Sequence, residues 1–351
     1  VPAVLIANPN LALDRLVTVA EIVPGAVMRS RRTELSPGGK GVNVARVLRA
    51  HGVRVPLLGL LCADDGALLA GLLADEGADL VAVPTPGRVR QALVFREVAA
   101  GRTTVVNEPG DPVPAGAWLS YLDAAAARLA PGDLFLAAGS LPAGVTADGY
   151  RQLVELAHRA GALIVMDAAP AALAAALPAR PDLVTPNLEE AEAALSGAPA
   201  DVLPVPDGVD VRARAEAAAR ALVDAGARRA VVTAGAAGAA FATSGSTSGG
   251  TSGCASGSTS GGTAEATDWV PSVPVTVVSA VGAGDSFVGG LALELRSRPR
   301  ETRDAWRAAV VRGVATAAAS CETPLAGGVV PARARELRGK IESLSAEVGV
   351  R

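Results

Sequence analysis

Two glycine-rich stretches hold the residue types in this chain that could do chemistry. The first is Val281-Gly282-Ala283-Gly284-Asp285-Ser286. An apolar run from Val273 to Val278, broken by Pro274, reads as a strand leading into it. Behind it, Phe287, Val288, Leu291 and Leu295 recur at helical spacing and predict a helix over Asp285 to Leu295. Two glycines let the backbone turn sharply between strand and helix. The turn leaves N–H groups at the positive end of a helix, where an anion can sit. A carboxylate at that mouth repels a bare phosphate, so a chemical use suits Asp285 better. It could accept a proton from a hydroxyl that attacks a phosphoryl group. The same pattern also suits an ordinary strand–turn–helix with Asp285 as N-cap, and the stretch alone leaves both readings open.

The second stretch is Pro37-Gly38-Gly39-Lys40-Gly41-Val42-Asn43, ahead of a helix predicted to reach about Ala50. Its backbone can approach a polar ligand closely, and Lys40 and Asn43 offer donors. It is not a P-loop, because no Ser or Thr follows the lysine and the four-residue spacer between the outer glycines is missing. Asp14 follows a first predicted strand, Val1 to Ala7, and stands either at a ligand-binding sheet edge or in a plain turn. Arg88, Arg90, Arg96 and Arg102 crowd a predicted hairpin over Arg88 to Val106. They form either a solvated edge that resists aggregation or a cap that carries arginine to a phosphate, and Arg90 is the one read as phosphate-directed.

Composition removes other chemistries. The only histidines, His51 and His158, fall near predicted helix ends, which argues against a histidine base or a zinc site. Three dispersed cysteines (Cys62, Cys254 and Cys321) fit a reducing compartment rather than a disulfide framework. A formal net charge of −3 gives no nucleic-acid footprint. No apolar run has membrane-spanning length and no leader pattern opens the sequence, so a soluble cytoplasmic protein is expected.

The elements that must position these residues alternate βαβα through most of the chain. Half of the residues are hydrophobic but only 3% are aromatic, so Ala, Val and Leu must build a closely packed core. The alternation predicts a mostly parallel central sheet flanked by helices, with sites at the strands' C-terminal ends. On that reading Asp14, Gly139, Asp167, Asn187, Thr233 and Asp285 share one rim. Residues 243–264 are rich in Ser, Gly and Thr and read as a flexible, exposed insertion in a single domain spanning 1–351.

Taken together, Gly38-Gly39-Lys40-Gly41-Val42-Asn43 and Gly282-Ala283-Gly284-Asp285 resemble the two signatures of the ribokinase-like (PfkB) carbohydrate kinases. The resemblance runs to about Pro331. It is reinforced by Asn8-Pro9 with Asp14, Gly139-Ser140-Leu141-Pro142, Pro186-Asn187 with Glu190, and Thr233-Ala234-Gly235 with Gly238. It implies a ribokinase-like α/β fold with a small β lid from about 11–36 and 88–108, often used for dimer contact. It also implies ATP-dependent phosphorylation of a sugar hydroxyl. By family pattern Asp285 is the base, and the Gly282, Ala283 and Gly284 amides form the anion hole. Asn187, Thr233, Gly235 and Gly238 meet the nucleotide, and Glu190 organises Mg2+ through water, as the ion's reluctance to dehydrate suggests. Asp14, Gly38, Gly39, Lys40, Asn43 and Ser140 fall on the sugar side. The run Pro37 to Arg46, with Arg90 and Asn107-Glu108-Pro109-Gly110, is most similar to the sugar-phosphate branch, in which Arg29 and Arg90 match positions that meet the substrate's own phosphate. That branch includes kinases of fructose 1-phosphate, fructose 6-phosphate and tagatose 6-phosphate, and fructose 1-phosphate is the expected substrate. Thr185 departs from the pattern, which usually has lysine before the Pro-Asn. A kinase of an unphosphorylated sugar or nucleoside, and a non-catalytic sugar-phosphate sensor, are the competing readings. A dinucleotide-binding oxidoreductase is set aside because no Gly-x-Gly-x-x-Gly follows the first strand.

Overall fold

The protein is described by a computed structural model over residues 2–197, 210–244, 264–297 and 302–348, and most of the 243–264 insertion lies outside the described residues. In chain order the elements are β1 (Val4–Asn8), β2 (Ala12–Val19), β3 (Arg32–Gly38), α1 (Lys40–Ala50), β4 (Pro56–Cys62), α2 (Gly66–Asp75) and β5 (Asp79–Thr85). Then come β6 (Arg90–Glu97), β7 (Arg102–Asn107), α3 (Ala115–Ala126), β8 (Leu134–Gly139), α4 (Gly149–Arg159), β9 (Leu163–Ala168), α5 (Pro170–Ala176) and β10 (Leu183–Val184). The chain continues through α6 (Leu188–Ser196), α7 (Val211–Asp224), β11 (Arg229–Thr233), β12 (Gly238–Ser244), β13 (Ala264–Pro271), α8 (Ala283–Ser297), α9 (Arg303–Cys321) and α10 (Pro331–Val348).

A nine-stranded sheet has the order β13-β12-β11-β10-β9-β8-β1-β4-β5. Strands β11 to β5 of that order run parallel, while β12 and β13 pair antiparallel at one edge. Helices cover both faces, so the central strands are apolar on both sides and alternate between two cores. Ile6, Leu136 and Val231 pack into the core that holds α8 and α9 residues such as Leu291 and Val310. Their neighbours Ala7, Phe135 and Val232 pack into the other, with Tyr121, Leu153 and Leu222. A smaller four-stranded sheet, β3-β2-β6-β7, draws its strands from the segments around 11–36 and 88–108, with β3 running on to Gly38.

Glycines let α8 approach its neighbours closely. A Cβ at Gly289 would stand 2.7 Å from Val47 Cβ on α1, and a Cβ at Gly313 of α9 would stand 2.6 Å from the Phe287 ring. These contacts set where the first turn of α8 lies against the first turn of α1.

Four sequence expectations are corrected. Residues 273–278 form no strand: Pro274 lacks a donor, and Val277 and Val278 are exposed. That segment is instead anchored by the Val278 and Ser279 amides, which donate to the Cys321 carbonyl at 2.8 and 3.1 Å. Ala283 and Gly284 belong to the first turn of α8 rather than to a linker. Asp14 lies within β2 of the smaller sheet, and Asn8 ends the first strand. Thr243, Ser244 and Ala264 are strand residues. β12 escapes a pattern search because Ala239, Ala240, Phe241 and Ala242 are all buried, which removes the apolar–polar alternation. Among the described residues, no helix is long and apolar enough to cross a membrane.

Candidate active site

Asp285 is the third residue of α8 and is 6% exposed. It is no N-cap: Asn43 Nδ2 donates to its Oδ2 at 2.7 Å. The two residues sit one turn before Gly289 and Val47 on their helices, so the glycine contact brings them together. Burial pushes the Asp285 carboxyl up to about 7. The Lys40 charge and the Asn43 hydrogen bond pull it down, and the Asp167 and Glu190 charges push it up. Gly282 turns the chain at φ 80°, and a Cβ there would stand 2.9 Å from Ala326 Cβ. Gly284 adopts helical backbone, and a Cβ there would meet nothing within 4 Å, so space lies open in front of it. Ala283 N–H donates to Ala280 O at 3.2 Å, whereas the Gly282, Gly284 and Asp285 amides have no acceptor among the described residues. The free donors are therefore Gly282, Gly284 and Asp285 rather than the trio Gly282, Ala283 and Gly284.

The Pro37–Asn43 loop closes onto Asn8. Asn8 Oδ1 accepts from the Gly41 and Val42 amides at 2.8 and 3.3 Å, capping α1 from another strand. Gly39 takes φ 124°, and a Cβ there would stand 2.5 Å from Asn8 Oδ1. A Cβ at Gly38 would collide with the Asp14 carboxylate, so the missing side chain makes room for it. Asn8 Nδ2 is buried and unpartnered among the described residues.

Lys40 reaches across to the large sheet. Its Nζ donates to Asp167 Oδ1 at 2.9 Å and to Glu190 Oε1 at 3.5 Å. Burial opposes its charge, but Asp167, Glu190 and Asp285 together hold the ammonium well above the usual lysine range. Glu190 forms a capping box with Asn187: Asn187 Oδ1 accepts from Glu190 N at 2.8 Å, and Glu190 Oε2 accepts from Asn187 N at 3.0 Å. Burial raises the Glu190 carboxyl against the pull of Lys40. Asn187 bridges to Thr233, whose amide donates to Pro186 O at 3.1 Å. Gly235 is open to solvent, and Gly238 turns the chain into β12. Thr185 is buried, with Oγ1 3.4 Å from Met166 O.

On the smaller sheet, burial raises Asp14 above the usual carboxylate range, against the pull of Arg46 and Arg90. Arg90 Nη2 donates to Asn10 O at 3.2 Å, and its buried Nε has no partner among the described residues. Asn10 Nδ2 in turn donates to Ser140 Oγ at 2.9 Å and to Leu141 O at 3.3 Å. Arg102 is committed to Glu97, and Arg88 lies beside Asp65. Arg29 is exposed in the connection between β2 and β3 and is not brought into this group. Neither histidine joins it: His51 caps α1 and His158 lies on α4 beside Asp182.

Three participants were not singled out from the sequence. Asn8 entered only through the Asn8-Pro9 resemblance, with no role attached, and Asn10 not at all. Asp167 read only as one rim position among six, and four of those six, Gly139, Asp167, Asn187 and Thr233, lie at large-sheet strand ends. The Asn-Pro-Asn run was the available signal, since two amides flanking a proline at a strand end suit long-range capping.

The arrangement joins a buried carboxylate, free amides at a helix N-terminus, a lysine among acids and an arginine with an unused donor. A family model described as pfkB family carbohydrate kinase matches residues 10–333. The chain is 35% identical over 288 residues to a 1-phosphofructokinase of Rhodobacter capsulatus, covering 80% of each. It is 26% identical over 295 residues to an ATP-dependent 6-phosphofructokinase isozyme 2 of Mycobacterium tuberculosis, covering 84% of this chain and 78% of the relative. The crystal structure of phosphofructokinase-2 from Escherichia coli in complex with substrates and products superposes with a TM-score of 0.78 at 27% identity, covering 97% of this chain and all of the other.

Proposed function

The chain belongs to the pfkB family of carbohydrate kinases, and on that premise we propose that it phosphorylates fructose 1-phosphate with ATP, giving fructose 1,6-bisphosphate. The observation that carries the reading is the buried Asp285 carboxylate beside unbonded amides of its own helix, tied through the 37–43 loop to Asp14 and Arg90. The 35% identical 1-phosphofructokinase favours fructose 1-phosphate over fructose 6-phosphate and tagatose 6-phosphate.

Asp285 takes the proton of the attacking hydroxyl. Its carboxyl, pushed up to about 7, suits a base at neutral pH, since a substantial share is then ionised and still basic enough to hold a proton. Phosphoryl transfer depends mainly on positioning and charge stabilisation. The Gly282, Gly284 and Asp285 amides supply donors at the open space before Gly284, where charge develops on the transferring group. Asp14 accepts from sugar hydroxyls, and Asn43, Ser140 and the backbone of Gly38 and Gly39 shape the sugar side. Arg90 pairs with the phosphate already on the sugar through the guanidinium hydrogens left over from its single Nη2 bond to Asn10 O. Arg29 stands exposed and able to join it. Asn187, Thr233, Gly235 and Gly238 line the nucleotide side.

The donor set fits a magnesium ion at Glu190. The carboxylate is a hard oxygen ligand held by one weak contact to Lys40 and one backbone amide. No group of three acidic or histidine side chains among the described residues could cage a metal, which suits an ion held largely by water and phosphate oxygens. Such an ion, when bound, would neutralise phosphate charge. The smaller sheet is assigned to close over the sugar and to form a homodimer. Val105 and Val106 on its β7 edge are 41% and 51% exposed, and Leu16, Val94 and Val105 share one row across it.

The test is a coupled ATP assay over fructose 1-phosphate, fructose 6-phosphate, tagatose 6-phosphate, free sugars and nucleosides. Turnover should be greatest with fructose 1-phosphate and disappear in Asp285→Asn. Turnover confined to an unphosphorylated acceptor, or binding of sugar phosphate without turnover, overturns the reading.

A further inference from the structure

Arg46 touches no open space before Gly284, yet it is the most heavily bonded side chain near the candidate base. It is 6% exposed. Its Nε and Nη2 grip both oxygens of Glu76 at 2.7 Å, and Nη2 also donates to Pro37 O at 2.7 Å. Its Nη1 donates to Ala326 O at 3.1 Å and to Asn43 Oδ1 at 2.8 Å. These contacts join four segments: the start of the glycine loop, the first turn of α1, the end of α2, and the loop on which Gly282 rests.

The bond to Asn43 has a directional consequence. A guanidinium can only donate, so the face of the Asn43 amide turned to Arg46 must be the oxygen. The amide nitrogen is then forced toward Asp285. We propose that Arg46 is a positioning residue: it fixes the orientation of the Asn43 amide, and so aims a donor at the Asp285 carboxylate, the one side-chain donor that carboxylate has among the described residues. The proposal rests on the reading of Asp285 as the base, and it assigns the aim of that base to a residue outside the ligand's reach.

With Arg46 lost, Asn43 can turn its oxygen to Asp285, and a donor to the ionised form becomes an acceptor that disfavours it. The other groups facing Asp285 stay in place: Lys40 from α1, Asp167 from β9 and Glu190 from α6. The charges facing Arg46 itself are Glu76 and Asp14.

The test uses Arg46→Lys, which keeps the charge but cannot serve five acceptors, with Glu76→Gln as control. Glu76 anchors Arg46 without touching Asn43. In Arg46→Lys, kcat should fall tenfold or more while KM for ATP and for the sugar phosphate changes less than threefold. The acidic limb of kcat should move to higher pH. Glu76→Gln should lower the melting temperature and leave the limb in place. On an Asn43→Ala background, Arg46→Lys should add nothing further, because its effect passes through that amide. Multiplicative losses in the double variant, or a limb that moves as far in Glu76→Gln, overturn the proposal. A readout free of turnover separates it from the kinase reading. The pH at which the stability gap between Asp285→Asn and the unsubstituted protein stops widening in thermal denaturation marks the folded-state Asp285 titration. It should rise when Arg46→Lys is added to both members of the pair, and an unmoved midpoint refutes the proposal even if no sugar phosphate is turned over.

Discussion

Replacing Asp285 by Asn should make the protein inactive and more stable at the same time. Asn keeps the shape and can still accept from Asn43 Nδ2, so the substitution removes chiefly the charge and the basicity. The loss of a general base costs about 10²- to 10⁴-fold in kcat. The gain follows from burial. The Asp285 carboxyl is raised from 3.8 to about 7 in the folded protein. Below about pH 4 it is protonated in folded and unfolded chains alike, and it costs the fold nothing. As pH rises toward 7 the unfolded chain ionises first, so the folded state loses stability. Above about pH 7 the cost is complete, about 4 kcal/mol as an upper bound for a rise of that size. Neutral Asn avoids it, so the stability gap between Asp285→Asn and the unsubstituted protein should be less than half its full size at pH 5, widen to about pH 7 and level off above. Thermal denaturation of the pair from pH 5 to 9 measures this, with the coupled assay run on the same samples. A gap that is constant with pH, or one that closes as pH rises, refutes the claim that burial strains the ionised carboxylate. Unchanged kcat refutes its role as base.

The remaining predictions separate contact from support. Arg90→Ala should raise KM for sugar phosphates by about 10- to 100-fold, as expected for a lost charged contact of about 1.5–3 kcal/mol, with a smaller change in kcat; equal KM values before and after refute the phosphate contact. Gly284→Ala should fold as well as the native chain or up to about 1 kcal/mol better, because Ala favours helix and its Cβ meets only open space. It should nevertheless weaken ATP turnover by blocking that space, and full activity would refute an anion site there. Gly289→Ala should lower both stability and kcat, since its Cβ would press on Val47 at 2.7 Å and part α8 from α1; circular dichroism melts and the coupled assay read both. Thr185→Lys should lower KM for ATP by placing a cation beside the nucleotide side.

Much of the site could be read before the fold. The two glycine stretches are local signals, since a tight turn and a close backbone approach need glycine whatever surrounds it. Asp285, Lys40 and Asn43 follow from those stretches as candidate groups. The βαβα rhythm likewise predicts the parallel sheet, because each element buries its own apolar face. Strand β12 and the false strand at 273–278 show where this fails. Burial on both faces hides one pattern, and in the other a run of valines looks buried although Val277 and Val278 are exposed. Arg88, Arg90, Arg96 and Arg102 look alike in sequence, and only their neighbours tell them apart: Glu97 occupies Arg102, while the Arg90 Nε is left without a partner.

Gly282 to Asp285 was legible as a helix start with an acid in it, and the sequence by itself determined no more than that. What set Asp285 apart from a helix cap was the partner 242 positions away in sequence, Asn43, brought to 2.7 Å by helices that touch through Gly289 and Val47. Asp167 and Glu190 became significant in the same way, by facing Lys40 across the sheet edge. Residue type and spacing fix which groups a segment can offer. Burial and opposing charge fix what those groups do, and both are properties of the packed chain, set by elements far apart along it.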